Sequence, residues 1–144
     1  MNATGGRGYN LTGGESAMTT QKVISDIKAA YTKGQAIQIY GYSLGGKVAL
    51  DVARSLGAAN IPISLLVTVD SAEGPMSALV NRTVPSNVSV NYNFFQTTPS
   101  SIFSRGDYNS GSGLIFNYNL TGPNITHGNI DEATMNIAIR LLKH

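Results

Sequence analysis

Residues 37–47, IQIYGYSLGGK, constrain the fold more than any other stretch of the chain. An apolar run with Ile37 and Ile39 leads straight into Gly41-Tyr42-Ser43-Leu44-Gly45, and helix-forming residues 47–56 follow without a linker. That order folds as a strand, a sharp turn and a helix, with Gly57 as the expected helix stop. A serine on such a turn stands clear of the sheet only if the residues two positions away on each side are too small to clash. Gly41 and Gly45 meet that condition. The helix start adds partial positive charge and unpaired backbone N–H groups, so the N–H of Leu44 would face an oxyanion forming beside Ser43. Ser43 is therefore the candidate nucleophile and Leu44 the candidate oxyanion donor. The competing reading is an ordinary tight turn, which the strand before and the helix after disfavour.

The flanking sequence extends the same pattern. Residues 17–33 carry Val23, Ile24, Ile27, Ala30 and Tyr31 on one face, and Gly34 follows as a cap, which predicts an amphipathic helix. Residues 61–69, IPISLLVTV, read as a strand covered on both faces and end in Asp70. A helix between two such strands makes them parallel neighbours, and ligand sites then lie beyond their C-terminal ends. This puts Ser43 and Asp70 on one rim. Residues 87–97 alternate through Val88, Val90 and Tyr92 as a third strand, with Phe94 and Phe95 breaking the alternation. Residues 98–113 are Gly-bearing loop, residues 114–120 a last strand, and residues 122–129 turn chemistry. From Ile130, Ala133, Ile137, Ala138 and Leu141 recur at helical spacing behind Asp131 and Glu132, predicting a closing helix. The expected fold class is thus α/β, a mostly parallel sheet with helices on both faces. Residues 1–15 read as loop.

A serine hydroxyl needs a base to take its proton. The chain has two histidines. His144 is the last residue, whereas His127 lies between the last strand and the last helix, at the rim, and is the candidate base. The third group must be a carboxylate on that rim. Glu15 and Asp26 precede the turn, Asp51 sits on the helix after it, and Asp131 and Glu132 open the last helix. Asp70 and Asp107 remain, with Glu73 a poor third. Asp70 comes directly off a well-defined strand, which gives it the rigidity needed to hold one imidazole geometry; Asp107 lies in a loop with few anchors. Asp70 is favoured.

Composition excludes other chemistries. A length of 144 residues suits one domain, and a net charge of +2 with scattered basic residues leaves no nucleic-acid footprint. There is no cysteine, so thiolate catalysis, disulfides and cysteine metal sites are out. Two histidines remote from clustered carboxylates make no metal site, and Gly46-Lys47 lacks the spacing of a phosphate loop. No cofactor is implied. No run approaches a membrane span and no signal peptide is visible, which leaves localisation undetermined. Six N-x-[ST] sequons, at Asn2, Asn10, Asn81, Asn87, Asn119 and Asn124, matter only in a eukaryotic secretory route and otherwise reflect composition.

GYSLGG, followed in order by an acid and by His127, resembles the α/β-hydrolase superfamily, and the turn looks like that of its lipase, esterase and thioesterase branches. Tyr42 stands where those branches often carry His. The resemblance implies acyl transfer from a small-molecule carboxylic ester or thioester to Ser43, with water releasing the acyl group. It also implies a second oxyanion N–H from an earlier Gly-bearing loop, for which Gly5-Gly6 and Gly13-Gly14 are candidates. In most of the superfamily the acid follows the strand after next, which points to Asp107; in some lipase-type members it lies one strand earlier, the place of Asp70. Leu44, Phe94, Phe95, Ile102 and Phe103 are candidates for an acyl pocket or for core. The strands that normally precede this turn are not recognisable, so a minimal or N-terminally shortened form is expected. One edge of the strand at 37–41 is then exposed, to be covered by the N-terminal segment, a second copy or another partner. The alternative is a non-catalytic, hydrolase-derived binding or structural domain.

Overall fold

In a computed structural model of the chain, which describes residues 6–9, 16–98 and 104–143, the apolar runs assemble into one parallel sheet. The elements are α1 (Ser16–Ala30), β1 (Gln38–Tyr42), α2 (Leu44–Ala58), β2 (Ile63–Val69), β3 (Thr83–Val84), β4 (Val88–Phe95), β5 (Ser110–Gly111), β6 (Leu114–Asn119) and α3 (Ile130–Lys143). The strand order is β1-β2-β4-β6, all parallel, and β3 and β5 form a separate two-stranded parallel ribbon.

Burial explains why the sheet is covered on both faces. Along β2, Ile63 and Leu66 pack with α1 and α2, while Leu65, Val67 and Val69 pack with α3. A strand with apolar residues on both faces has no wet side, which is why 61–69 reads as a continuous apolar run. Val48, Leu50, Val52 and Leu56 of α2 are buried, each stabilising the fold by roughly 1.5–3 kcal/mol. On the other face α3 contributes Ile130 and Ala138, with Leu141 and Leu142 partly buried beside them. Its first turn carries Asp131 and Glu132 and its last Arg140 and Lys143, each sign complementing the helix dipole.

Several boundaries differ from the sequence expectation. α1 ends at Ala30, and Gly34, with φ 90, closes a turn beyond it in which Gln35 N–H donates to Thr32 O. Gly57 is inside α2 and not its stop: a Cβ there would lie 2.8 Å from Asn87 Oδ1, so the glycine makes room for the start of β4. Asn60, with φ 57, takes the left-handed turn instead, and Ile61 N–H bonds back to Leu56 O. Asn87, one of the sequon asparagines, is spent inside the fold, donating to Ala53 O and Ile61 O. The third strand, expected over 87–97, ends at Phe95; Phe94 and Phe95 are both buried because each face is covered at that end.

Beyond β1 the sheet stops among the described residues. A cavity of about 1000 Å³ runs along that edge, walled by residues 6–9, by Val23 and Ile27 of α1, and by Val48 and Val52 of α2. No helix among the described residues is long and apolar enough to cross a membrane.

Candidate active site

The junction of β1 and α2 places Ser43 at φ 57, ψ −122, a conformation that costs a non-glycine residue on the order of 1–3 kcal/mol. Local hydrogen bonds hold it there. Ser43 N–H donates to Val69 O on the neighbouring strand, and Ser43 O accepts from Gly46 N–H and from Ala72 N–H beyond β2. The turn is tight enough that a Cβ on Gly41 would lie 2.2 Å from Gly45 O. Gly46 has its own requirement, since a Cβ there would lie 2.3 Å from Ser71 Oγ. Leu44 is the first residue of α2, and its N–H, like others in the first turn, has no acceptor four residues earlier in the helix.

His127 sits on the turn that feeds α3. Thr126 N–H donates to Asn129 Oδ1, Ile130 N–H donates to Thr126 O, and Asn129 Nδ2 donates to Asn124 O. The imidazole reaches in two directions, with Nε2 2.8 Å from Ser43 Oγ and Nδ1 2.7 Å from Asp70 Oδ2. Tyr42, the residue before the serine, stacks on the imidazole at 5.4 Å between centroids, and its hydroxyl donates to the His127 carbonyl oxygen. Burial, with Asp131 and Asp70 nearby, pushes the Tyr42 phenol up to about 12, so it is a donor at neutral pH.

Asp70 leaves β2 with φ 46 and is completely buried. Its Oδ1 accepts from Gln96 N–H at 3.1 Å and Gly106 N–H at 2.5 Å, and its Oδ2 accepts from Gln96 Nε2 at 2.6 Å and faces His127 Nδ1. Every partner of the carboxylate is a donor, which assigns the imidazole proton to Nδ1 and leaves Nε2 as an acceptor for the Ser43 hydroxyl. Next to it, Arg82 donates to Ser71 O and Ser77 O and ties down the loop after β2. Burial lowers the Arg82 pKa, opposed by the charges of Asp107 and Asp70.

A solved structure shares this architecture. A type II thioesterase, BorB from the borrelidin biosynthetic cluster, matches with a TM-score of 0.54 and 11% identity, over 88% of this chain and 68% of its own. The chain has an α/β-hydrolase fold. Human thioesterase 2 matches with a TM-score of 0.49 and 11% identity, over 88% of this chain and 81% of its own. No family model and no curated protein matches.

Within this α/β-hydrolase fold the residues singled out by sequence separate clearly. Ser43, His127 and Asp70 come together. Asp107 does not join them; it is exposed, and its carboxylate accepts from Tyr108 N–H. Glu73 pairs with Lys47 at 3.9 Å. Phe94 and Phe95 belong to the core, stacked on Tyr118 and edge-on to Tyr108 respectively. Gly6 lines the cavity along β1, whereas Gly5, Gly13, Gly14, Ile102, Phe103 and His144 lie outside the described residues. Among the described residues no group of three His, Asp or Glu side chains could hold a metal ion. Three contributors were not evident from sequence: Tyr42, Gln96 and Gly106. Gln96 directly follows the rim end of β4, the strand next to that of Asp70, but begins a polar run, Gln96-Thr97-Thr98, that does not single it out.

Proposed function

We propose that the chain is a serine hydrolase cleaving a carboxylic ester or thioester through an acyl-enzyme on Ser43. The observation that carries this reading is the unbroken line Ser43 Oγ, His127 Nε2, His127 Nδ1, Asp70 Oδ2, with gaps of 2.8 and 2.7 Å, at the C-terminal rim of a parallel sheet. In the reaction His127 Nε2 takes the Ser43 proton as Oγ attacks the acyl carbon, and Asp70 stabilises the imidazolium that forms. The Leu44 N–H, at the positive end of α2, donates to the oxyanion. Collapse expels the alcohol or thiol with the proton from His127. Water, deprotonated by the same imidazole, then attacks the acyl carbon, and Ser43 Oγ leaves with that proton returned from His127 as the acid is released. The likeness to a type II thioesterase makes acyl thioesters the first substrates to try, beside simple esters.

The test is labelling with a fluorophosphonate probe followed by intact-mass measurement, with Ser43→Ala as control. One adduct, absent from the control, is expected between pH 6 and 9, roughly the range in which a neutral histidine base works. No adduct across that range would replace this reading with a non-catalytic binding domain. The proposal includes a partner at the β1 edge, supplied by the N-terminal segment, a second copy or another chain, on the strength of the cavity beside that strand.

A further inference from the structure

One face of the sheet carries a row of polar side chains where a core would be expected. Thr68, Asn93 and Asn117 are side by side on β2, β4 and β6, with Asn91 one pleat away on β4. Thr68, Asn91 and Asn93 are at most 1% exposed. Buried amides are costly unless each is paired. Here the row is joined across the strands, Thr68 Oγ1 to Asn93 Oδ1 at 2.9 Å and Asn93 Nδ2 to Asn117 Oδ1 at 2.8 Å. Asn91 Nδ2 donates within the sheet, to Leu66 O, and the other side chains reach one segment of chain, residues 106–110, lying across the face. Asn93 Nδ2 donates to Asp107 O, Asn117 Nδ2 to Asn109 O, and Asn109 N–H to Asn117 Oδ1. The buried Asn109 amide points back into the sheet, donating to Thr68 Oγ1 and Asn91 Oδ1.

That segment ends on the acid. Gly106, one residue before Asp107, gives its N–H to Asp70 Oδ1, and a Cβ there would lie 2.7 Å from that oxygen and 2.7 Å from Phe95 Cβ. We infer that Asn93, Asn117 and Asn109 are positioning residues for Asp70. They hold residues 106–110 flat on the sheet so that the Gly106 N–H fixes one carboxylate oxygen, while Gln96 and His127 share the other. An apolar core would bury this face equally well but would leave the carbonyl of Asp107 and both backbone groups of Asn109 without partners. The asparagines therefore supply placement that hydrophobic packing cannot. The inference rests on the proposed role of Asp70 and adds to it how the carboxylate is aimed.

The experiment compares Asn117→Ala and Asn109→Ala with Asn119→Ala, a control on the strand of Asn117 whose side chain accepts from Thr121 N–H and the Thr121 hydroxyl. None of the three touches Ser43, His127 or Asp70. Two readouts are taken: kcat and KM on an acyl ester or thioester, and the downfield proton resonance of His127 Nδ1–H, which reports its bond to Asp70 whether or not the protein turns over. The first two variants are expected to lower kcat by about 10- to 100-fold with KM within twofold, a misplacement effect, and to broaden or shift the resonance. The control should change neither. If Asn117→Ala and Asn109→Ala lower only the melting temperature, with kcat and resonance as in wild type, the row is structural alone and the inference is overturned. If wild type shows the resonance but no turnover, the hydrolase reading fails, and the response of the resonance to the variants alone decides the inference.

Discussion

Four donors converge on the Asp70 carboxylate, and each of its neighbours fixes a different property of the site. Replacing Asp70 by Asn leaves the shape but lets the imidazole adopt the wrong tautomer, because an amide can donate to Nδ1. In the triad arrangement that change costs about 10⁴ in kcat. We expect a loss of that order in Asp70→Asn and near-wild-type turnover in Asp107→Asn, measured as steady-state rates; the reverse pattern would make Asp107 the acid. Tyr42 acts on the other partner. Tyr42→Phe keeps the ring stacked on His127 but loses the bond to the His127 carbonyl, so a stability loss of about 1 kcal/mol is expected with a fall in kcat. Burial pushes the phenols of Tyr42 and Tyr40 up to about 12, from the ordinary 10. Below pH 10 both are protonated in the folded and unfolded chain and their contribution is intact. Between pH 10 and 12 the unfolded chain loses these protons first, so stability falls as pH rises. Thermal melts from pH 9 to 12 should show that fall, and a Tyr40→Phe, Tyr42→Phe double variant should flatten it; an equal slope in both proteins would refute the assignment.

The turn between β1 and α2 is where backbone geometry and chemistry meet most closely. All three atoms that would clash in Gly41→Ala, Gly45 O, Gly45 C and Gly46 N, belong to the main chain, so no rotamer change relieves the 2.2 Å contact with Gly45 O. We expect at least the 1–3 kcal/mol typical of overpacking, seen in denaturant melts, and loss of fluorophosphonate labelling as Ser43 shifts. Gly122→Ala meets only Leu120 O at 3.8 Å and should match wild type. This turn was legible in the sequence because Gly, Ser and the flanking periodicities all point to one geometry. β2 was legible as one unbroken apolar run, and α2 and α3 from apolar residues recurring at helical spacing. The segment over the sheet was not. Val90 and Tyr92 mark the α3 face of β4, but Asn91 and Asn93 look like residues in water. A polar side chain paired with a buried loop and one paired with solvent have the same signature in a pattern of apolar and polar positions. β3 and β5, two residues each, are set by contact between distant loops and have no period to read.

At the scale of the whole molecule the open question is what covers β1. Backbone direction can be read from its hydrogen bonds to β2: Ile37 O accepts from Ser64 N–H and Ser43 N–H donates to Val69 O. In a parallel strand the N–H and C=O of one residue point to the same side and alternate along the chain. Residues 37, 39, 41 and 43 therefore face β2, and the backbone groups of Gln38, Tyr40 and Tyr42 face the cavity. With no strand beside them among the described residues, these donors and acceptors form an edge that pairs readily with another strand. The turn that carries Ser43 begins at the end of this row, so its rigidity depends on how the row is satisfied. We predict that the edge is protected in the working protein. Sedimentation should show a dimer or larger species, or, if the molecule is a monomer, amide exchange should show slow protons at Gln38, Tyr40 and Tyr42 together with protection within residues 1–15. A monomer with fast exchange at all of these positions would show the edge to be open to water. Adding a proline at Tyr40 removes one outward donor without touching the bonds to β2, so it separates the two routes: a self-associated form should fall apart to monomer, whereas an intramolecular cover should lose protection locally and stay monomeric.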